Sequence, residues 1–191
     1  DWNYTLIVED AGPFIQVEFE EKSGEIFGIA SEYQRDENRP DGARVDSFAR
    51  RITVDGSTVV GMSSAADGSS FNKVNGTFTY TGLGAIAVDT EIFSGGVEMQ
   101  TTFDDIESSA TISAPTLTNG TDIASFSGNV IINNVSGIYL TEEAQISTSS
   151  NSVMAATILG QFNTDSTASS GTIYDNSTNG KDVMGSFTVA K

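Results

Sequence analysis

The stretch VEMQTTF, residues 97–103, alternates between apolar and polar side chains and carries the main signal for the fold class. Positions 97, 99 and 103 are apolar and fall on one face of an extended chain, together with Thr101. The opposite face carries three polar side chains: Glu98, Gln100 and Thr102. A period of two with one wetted face is typical of a half-buried strand in an antiparallel sheet.

The same alternation recurs farther along the chain. In the stretch 105–114, alternate positions from Ile106 to Ile112 form the more apolar face. In the stretch 183–189, the odd-numbered positions form the apolar face, and the even-numbered positions are expected to meet water. No segment offers a convincing helical stripe, so the sequence predicts an all-β protein.

Turn signals separate these segments. Asn-Gly occurs at 75–76, 119–120 and 179–180, and this dipeptide favours the tight turns of β-hairpins. The resulting pattern predicts eight strands, near 76–88, 93–103, 105–114, 122–133, 136–147, 153–163, 170–175 and 182–190. Eight antiparallel strands with short loops fit a closed up-and-down β-barrel, because closure leaves no unprotected edge strand.

The interior of this barrel is expected to be filled by side chains. A barrel of eight strands has room for its own side chains or for one small ligand. The first predicted barrel strand mixes large and small inward residues, which suits a tightly curved and filled interior: Phe78, Tyr80, Gly82, Gly84, Ile86 and Val88.

Residues 1–74 differ in composition from the barrel at 75–191. They hold all five arginines and two of the three prolines. Within them the sequence predicts four strands, at 3–9, 14–20, 25–33 and 51–62. No low-complexity linker separates the two parts, so we expect an N-terminal β-rich, handle-like segment packed beside the barrel.

Composition excludes several classes of function. The chain has no cysteine and no histidine, which removes disulfides, thiolate chemistry, the commonest general base and the commonest zinc ligand. A net charge of −17 disfavours binding to nucleic acids and to anionic membrane surfaces. No apolar run approaches the ~18 residues of a membrane-spanning helix. The acidic composition, rich in Gly, Ser, Thr and Asn, indicates an exported protein.

Acidic runs are the first candidates for chemistry. They occur at 19–21, 104–107 and 142–143, but neighbouring residues of a strand point to opposite faces, so we interpret them as solvated faces and turns. The stretch DENRPDG, 36–42, lacks the spacing of a calcium-binding EF-hand loop. A serine nucleophile would need a lysine as its base, because histidine is absent. We therefore expect no catalytic residues, no metal site and no cofactor.

The arginine-rich loop is the one local break in the acidity, and it gives the candidate binding site. Interleaved acids favour simple charge compensation as one interpretation. The functional interpretation is an exposed recognition loop, because Tyr and Arg are favoured anchors at interfaces and loops on rigid scaffolds often carry binding. The candidate binding residues are Tyr33, Arg35, Arg39 and Arg44.

The order of the Gly- and Phe-containing motifs resembles a known family. These motifs are NGTFTYTGLGAIAV (75–88), FSGGVEMQTTFDDIESSATIS (93–113), ASFSGNV (124–130), GQFNTDSTASSGTIY (160–174) and VMGSFTVAK (183–191). Together they resemble the C-terminal barrel of the transferrin-binding-protein-B-like family of bacterial surface lipoproteins and solute-binding-like proteins. The match covers about 74–191, and its motifs are packing and turn motifs.

The resemblance implies a non-enzymatic, exported bacterial binding protein. Such a protein would capture a protein or nutrient ligand, in some relatives an iron carrier, through loops and the N-terminal segment. It would act at the cell surface, anchored to the outer membrane, or in the periplasm. Family members usually carry a lipid-bearing cysteine; a lipid anchor upstream of Asp1 and a soluble protein both fit its absence here. The alternatives are a structural or adhesive surface domain, and a carrier with its ligand inside the barrel.

Overall fold

The computed structural model describes residues 3–7, 15–22, 25–33, 45–54, 57–66, 71–175 and 183–191. This part of the chain contains strands and turns but no helix. Five strands form an N-terminal sheet: β1 (Asn3–Ile7), β2 (Ile15–Lys22), β3 (Glu25–Tyr33), β4 (Val45–Val54) and β5 (Ser57–Ala66). Eight strands form a second sheet: β6 (Gly76–Val88), β7 (Glu91–Phe103), β8 (Ser108–Thr118), β9 (Ile123–Ile132), β10 (Ile138–Thr148), β11 (Asn151–Phe162), β12 (Ala168–Asp175) and β13 (Val183–Ala190).

The second sheet is a closed antiparallel barrel, as the alternation predicted. Each strand pairs with its neighbours in sequence, and β13 closes the barrel on β6 through pairs from Val183 with Val88 to Ala190 with Thr81. Seven of the eight strands begin and end within two residues of the prediction, whereas β8 runs from Ser108 to Thr118 and not over 105–114. Ile106 lies in the turn before β8 and is almost fully exposed, because Asp104 accepts a hydrogen bond from its backbone N–H.

The barrel interior is closely packed. The predicted inward positions of β6 are confirmed: Tyr80, Ile86 and Val88 are buried in the main apolar cluster, and Phe78 packs against it. Glycines let large rings lie across the wall. Gly160 pairs with Tyr139 on the next strand, and a Cβ at Gly160 would overlap the tyrosine ring. The residue therefore has to be small for a packing reason.

The N-terminal sheet corrects one strand prediction. The segment 51–62, predicted as a single strand, belongs to two strands, β4 and β5, which pair antiparallel from Val45 with Ala66 to Val54 with Ser57. The sequence between Val54 and Ser57 is Asp-Gly, a dipeptide favoured in two-residue hairpins. The β-branched residues on both sides concealed this turn signal in the sequence.

The N-terminal sheet packs on the outside of the barrel. Its successive strands contact successive strands of the barrel: β2 contacts β6, β3 contacts β6 and β13, β4 contacts β13 and β12, and β5 contacts β12 and β11. A small apolar cluster lies between the layers, formed by Val17, Ile29, Ala49, Ala85, Ala87 and Met184. The predicted arrangement of a β-rich segment beside an eight-stranded barrel is therefore confirmed.

This packing corrects the expectation for β13. The face that carries Ser186 and Thr188 was predicted to meet water, yet both residues are fully buried. Ser186 Oγ lies 2.6 Å from Ser31 Oγ and 2.7 Å from Ser47 Oγ of the N-terminal sheet, and Thr188 donates to Ser31. Hydroxyl groups can be buried when they hydrogen-bond each other, so a Ser/Thr face does not by itself indicate exposure.

Candidate functional site

The predicted binding residues are largely beyond the described residues. Tyr33 is the last residue of β3, where it pairs with Ile15 and Val45, and its side chain is not described. Arg35, Arg39 and Arg44 lie outside the described residues, as does the stretch 36–42. The arginine-rich recognition loop therefore stays a prediction.

Aromatic rings fill one end of the barrel. Phe162 lies at the centre of this group, with ring centroids 5.2 Å from Phe103, 5.4 Å from Tyr80 and 5.7 Å from Tyr139. Phe71, which precedes the first barrel strand, is partly buried and packs against Phe162 and Phe103 at this end of the barrel. Edge-to-face contacts of this kind hold rings at fixed positions, so this end is a packed core.

The two tyrosines of this cluster direct their hydroxyl groups to fixed partners. Tyr80 donates to the carbonyl oxygen of Ser166 at 2.6 Å, and the Tyr139 hydroxyl lies 2.8 Å from that of Ser169. Burial raises the pKa of both phenols well above the ordinary value; nearby Asp165 raises that of Tyr80 further, and the Ser169 hydrogen bond offsets part of the shift at Tyr139. Both groups are therefore neutral and structural near pH 7.

Lys191 closes the same end of the barrel. Its ammonium lies 3.8 Å from the ring centroid of Phe78 and 5.2 Å from that of Tyr80. Partial burial lowers the pKa of this lysine, and the charge of Asp165 opposes that shift. A cation over aromatic faces stabilises the closed end, which supports packing over ligand entry.

Lys73 stands three residues after Ser70, which gives the chain one Ser-x-x-Lys spacing. Its ammonium donates to Asn75, to the carbonyl oxygen of Asp104 and to the carboxylate of Asp105. The hydrogen bonds from Asn75 and Lys73 hold the pKa of Asp105 below its usual range. Ser70 is outside the described residues, and the described contacts of Lys73 are those of a structural ion pair.

The acidic runs do not assemble a metal site in the described part of the chain. Residues 104–107 form the turn between β7 and β8, and Glu142 and Glu143 are exposed on β10. Among the described residues, no group of three or more carboxylates is placed to hold a metal ion. The described part also contains no helix with the length and apolar character that crossing a membrane requires.

A polar face, with Glu98 on β7 among its side chains, covers the outside of β6 to β9. Hydroxyl and amide side chains alternate outward along these strands, and Thr111 donates to Asn129 across β8 and β9 at 2.9 Å. The face holds a shallow depression of about 510 Å³, lined by Thr77, Gln100, Thr102, Ser109, Ala110, Thr111, Asn129, Val130 and Ile131. Such a surface can hydrogen-bond a ligand, and the Gln100 amide in its lining donates to the Glu98 carboxylate at 2.7 Å.

An apolar strip borders this face, and we call it the β9–β10 strip. It consists of Ile131, Ile138 and Leu140, which are 61%, 43% and 50% exposed. Ile131 pairs directly with Leu140, so their side chains are neighbours on the outer surface. The strip was not predicted, although three consecutive apolar residues at 130–132 and again at 138–140 signal that at least one of each three must face outward.

The comparisons with known proteins leave the family open. No family model, no curated protein and no solved structure matches the chain. The resemblance to transferrin-binding-protein-B-like barrels therefore stays a prediction, and it rests on the motif order described above.

Proposed function

We propose that the protein is a non-enzymatic binding protein of the bacterial exterior that holds a protein partner on its outer surface. The single observation that carries this proposal is the β9–β10 strip. Contact with water is unfavourable for large apolar side chains grouped on the surface of this highly acidic chain, and a bound partner would remove that contact. In this proposal the barrel is a rigid scaffold, and the arginine-rich loop of the N-terminal segment remains a second candidate for contact with the partner or with an iron-related nutrient.

The packed interior supports surface recognition over the carrier alternative. A carrier needs an internal cavity of roughly 300 Å³ or more for a small ligand. The largest fully buried side chains include Tyr80, Tyr139, Phe93, Phe103, Phe162 and Phe187, all of them within the barrel. These side chains occupy interior volume that a ligand would need, and the rings of Tyr80, Phe103 and Tyr139 each contact that of Phe162.

The structural or adhesive alternative is favoured by a different observation, the polar face on β6 to β9. Its depression presents hydroxyl and amide groups that suit a polyhydroxylated surface such as a glycan. In that role Gln100 would be a principal contact, and Gln100→Ala would abolish retention on immobilised bacterial or host polysaccharide. A variant that binds the polysaccharide as the wild type does would exclude the alternative.

The test of the main proposal compares matched surface variants. The wild type, Leu140→Gln and Thr79→Gln are immobilised and exposed to cell-envelope extract and to host serum. Thr79 is exposed on the polar side of the barrel, so its variant has the same new side chain away from the strip. We expect one partner to be retained by the wild type and Thr79→Gln but lost from Leu140→Gln. Equal retention of every protein by all three columns would contradict the proposal.

A further inference from the structure

Among the described residues, the N-terminal sheet ends in the edge strand β5. Strand β5 pairs with β4 on one side, and none of the described strands pairs with its other side. Its ten residues, STVVGMSSAA, contain no charge and no proline. Natural edge strands are normally protected from pairing by charges, prolines, bulges or short length. Strand β5 therefore offers a row of backbone groups that a further strand can pair with.

The position of a further strand follows from the packing of the present ones. From β2 to β5, each strand of the N-terminal sheet lies farther around the barrel than the strand before it, and β5 lies over β12 and β11. Because neighbouring strands are about 4.8 Å apart in both sheets, the next strand would lie over β11 and β10.

The outer surface at that position is apolar towards its two ends and acidic between them, where Glu142 and Glu143 are exposed on β10. Ile138 and Leu140 on β10 and Val153 on β11 are between 43% and 57% exposed, and Leu159 on β11 is half-buried. On the part of the barrel that the sheet already covers, Ala85, Ala87 and Met184 likewise point outward from their strands and are buried beneath the sheet. The surface beside the sheet thus continues the interface that the sheet makes with the barrel.

We propose that the partner adds an extended strand to the edge of β5 and lays its apolar side chains on Ile138, Leu140 and Val153. This inference rests on the proposed function, and it names the class of partner. Backbone hydrogen bonds to β5 supply affinity, and the apolar surface below selects a segment with apolar residues at alternate positions. The side chains at the intervening positions point away from the barrel, and the net charge of −17 favours Lys or Arg there.

A second copy of this chain fits the same edge poorly. Antiparallel pairing of two β5 strands about a two-fold axis would place both barrels on the same side of the joined sheet. The second barrel would then occupy the space over β10 and β9 of the first. A single extended segment avoids this clash, because no barrel is packed beneath it.

The test uses a nine-residue peptide of alternating valine and lysine, with a control peptide of the same composition whose valines and lysines are in two blocks. Binding to the full chain is measured by calorimetry, and backbone hydrogen exchange is followed by mass spectrometry. We expect the alternating peptide to bind, the block peptide to bind at least tenfold more weakly, and exchange to slow across 57–66.

Matched variants locate the contact. Leu140→Gln should weaken binding of the alternating peptide about tenfold, because it removes buried apolar area, whereas Thr79→Gln should leave binding unchanged. Equal binding of both peptides, or no slowing of exchange in 57–66, would overturn the proposed strand addition. A dimer in sedimentation that already protects 57–66 without peptide would overturn it in favour of a second copy.

These outcomes separate the two proposals. Retention of an envelope partner that depends on Leu140, without protection of 57–66, would remove strand addition and leave the proposed function standing. Retention that is indifferent to Leu140 would remove the proposed function itself.

Discussion

The side-chain oxygens of Ser31 and Ser186 lie 2.6 Å apart, although 155 residues separate them in the chain. Ser31 belongs to the N-terminal sheet and Ser186 to the strand that closes the barrel. Ser47 lies within 2.7 Å of Ser186 and donates to the carbonyl oxygen of Gly171 at 3.0 Å. These buried hydroxyl groups connect the two layers, so we expect sheet and barrel to unfold together.

Ser186→Ala tests this connection. The substitution removes a buried hydroxyl that bonds Ser31 and Ser47, and each of them loses one partner. We expect a loss of about 1–3 kcal/mol in the free energy of unfolding, measured in urea. Ser109→Ala, at an exposed position of β8, should change it by less than about 0.5 kcal/mol. Similar values for the two variants would show that the cluster contributes little.

Gly160→Ala tests the packing of Tyr139 across the barrel wall. A methyl group at this position would overlap the tyrosine ring, and the ring and its hydroxyl partner Ser169 would have to shift. We expect destabilisation of about 1–3 kcal/mol, as for other overpacked cores. Gly96→Ala is the matched control, because a Cβ there meets no atom within 4 Å among the described residues. The pair is compared by thermal unfolding, and equal melting temperatures would contradict the packing.

Thr101→Val should stabilise the protein. Thr101 is fully buried inside the barrel, and its hydroxyl oxygen has no hydrogen-bond partner among the described residues. Valine keeps the shape and removes the unsatisfied group, so we expect a gain of about 1–2 kcal/mol in urea unfolding. The neighbouring change Thr102→Val, on the exposed face, should be nearly neutral. A loss of stability in Thr101→Val would indicate that the hydroxyl is satisfied in solution.

Alkaline titration tests the closed end of the barrel. The folded-state pKa values of Tyr80 and Tyr139 are raised, so the stability linked to these groups is fully present below about pH 10, where unfolded tyrosine begins to ionise, and is lost as pH rises further. Of the five tyrosines, these two should ionise only when the protein unfolds, which ultraviolet difference spectroscopy detects. Rapid ionisation of all five in the folded protein near pH 10 would contradict the packed end.

The strands of the barrel were predictable because apolar and polar side chains alternate wherever one face of a strand meets the core and the other meets water. The stretch 97–103 has this pattern, and its inward residues Val97, Met99 and Phe103 are buried as expected. The pattern fails at β13, where both faces are buried. Ser186 and Thr188 serve equally well in water or in a hydroxyl cluster, so their chemistry alone could not distinguish the two environments.

The candidate site was much less predictable. An interface feature such as the β9–β10 strip requires that Ile131 and Leu140 become neighbours, and this depends on the register between two strands. Locally, each strand shows only a run of three apolar residues, which does not reveal which residues on the other strand lie beside it. The relation between the edge of β5 and the apolar surface of β10 depends on how the two sheets stack, which no local pattern encodes.

Oxidative footprinting of the apolar strip tests the central claim most directly. Hydroxyl radicals modify exposed Ile131 and Leu140 in the free protein, and a partner retained from the envelope extract or serum should reduce their modification at least severalfold. Exposed Ile106, in the turn before β8, is the internal reference and should be modified equally with and without the partner. Unchanged modification of Ile131 and Leu140 in the complex would contradict the claim that binding takes place on the outer surface of the barrel at this strip.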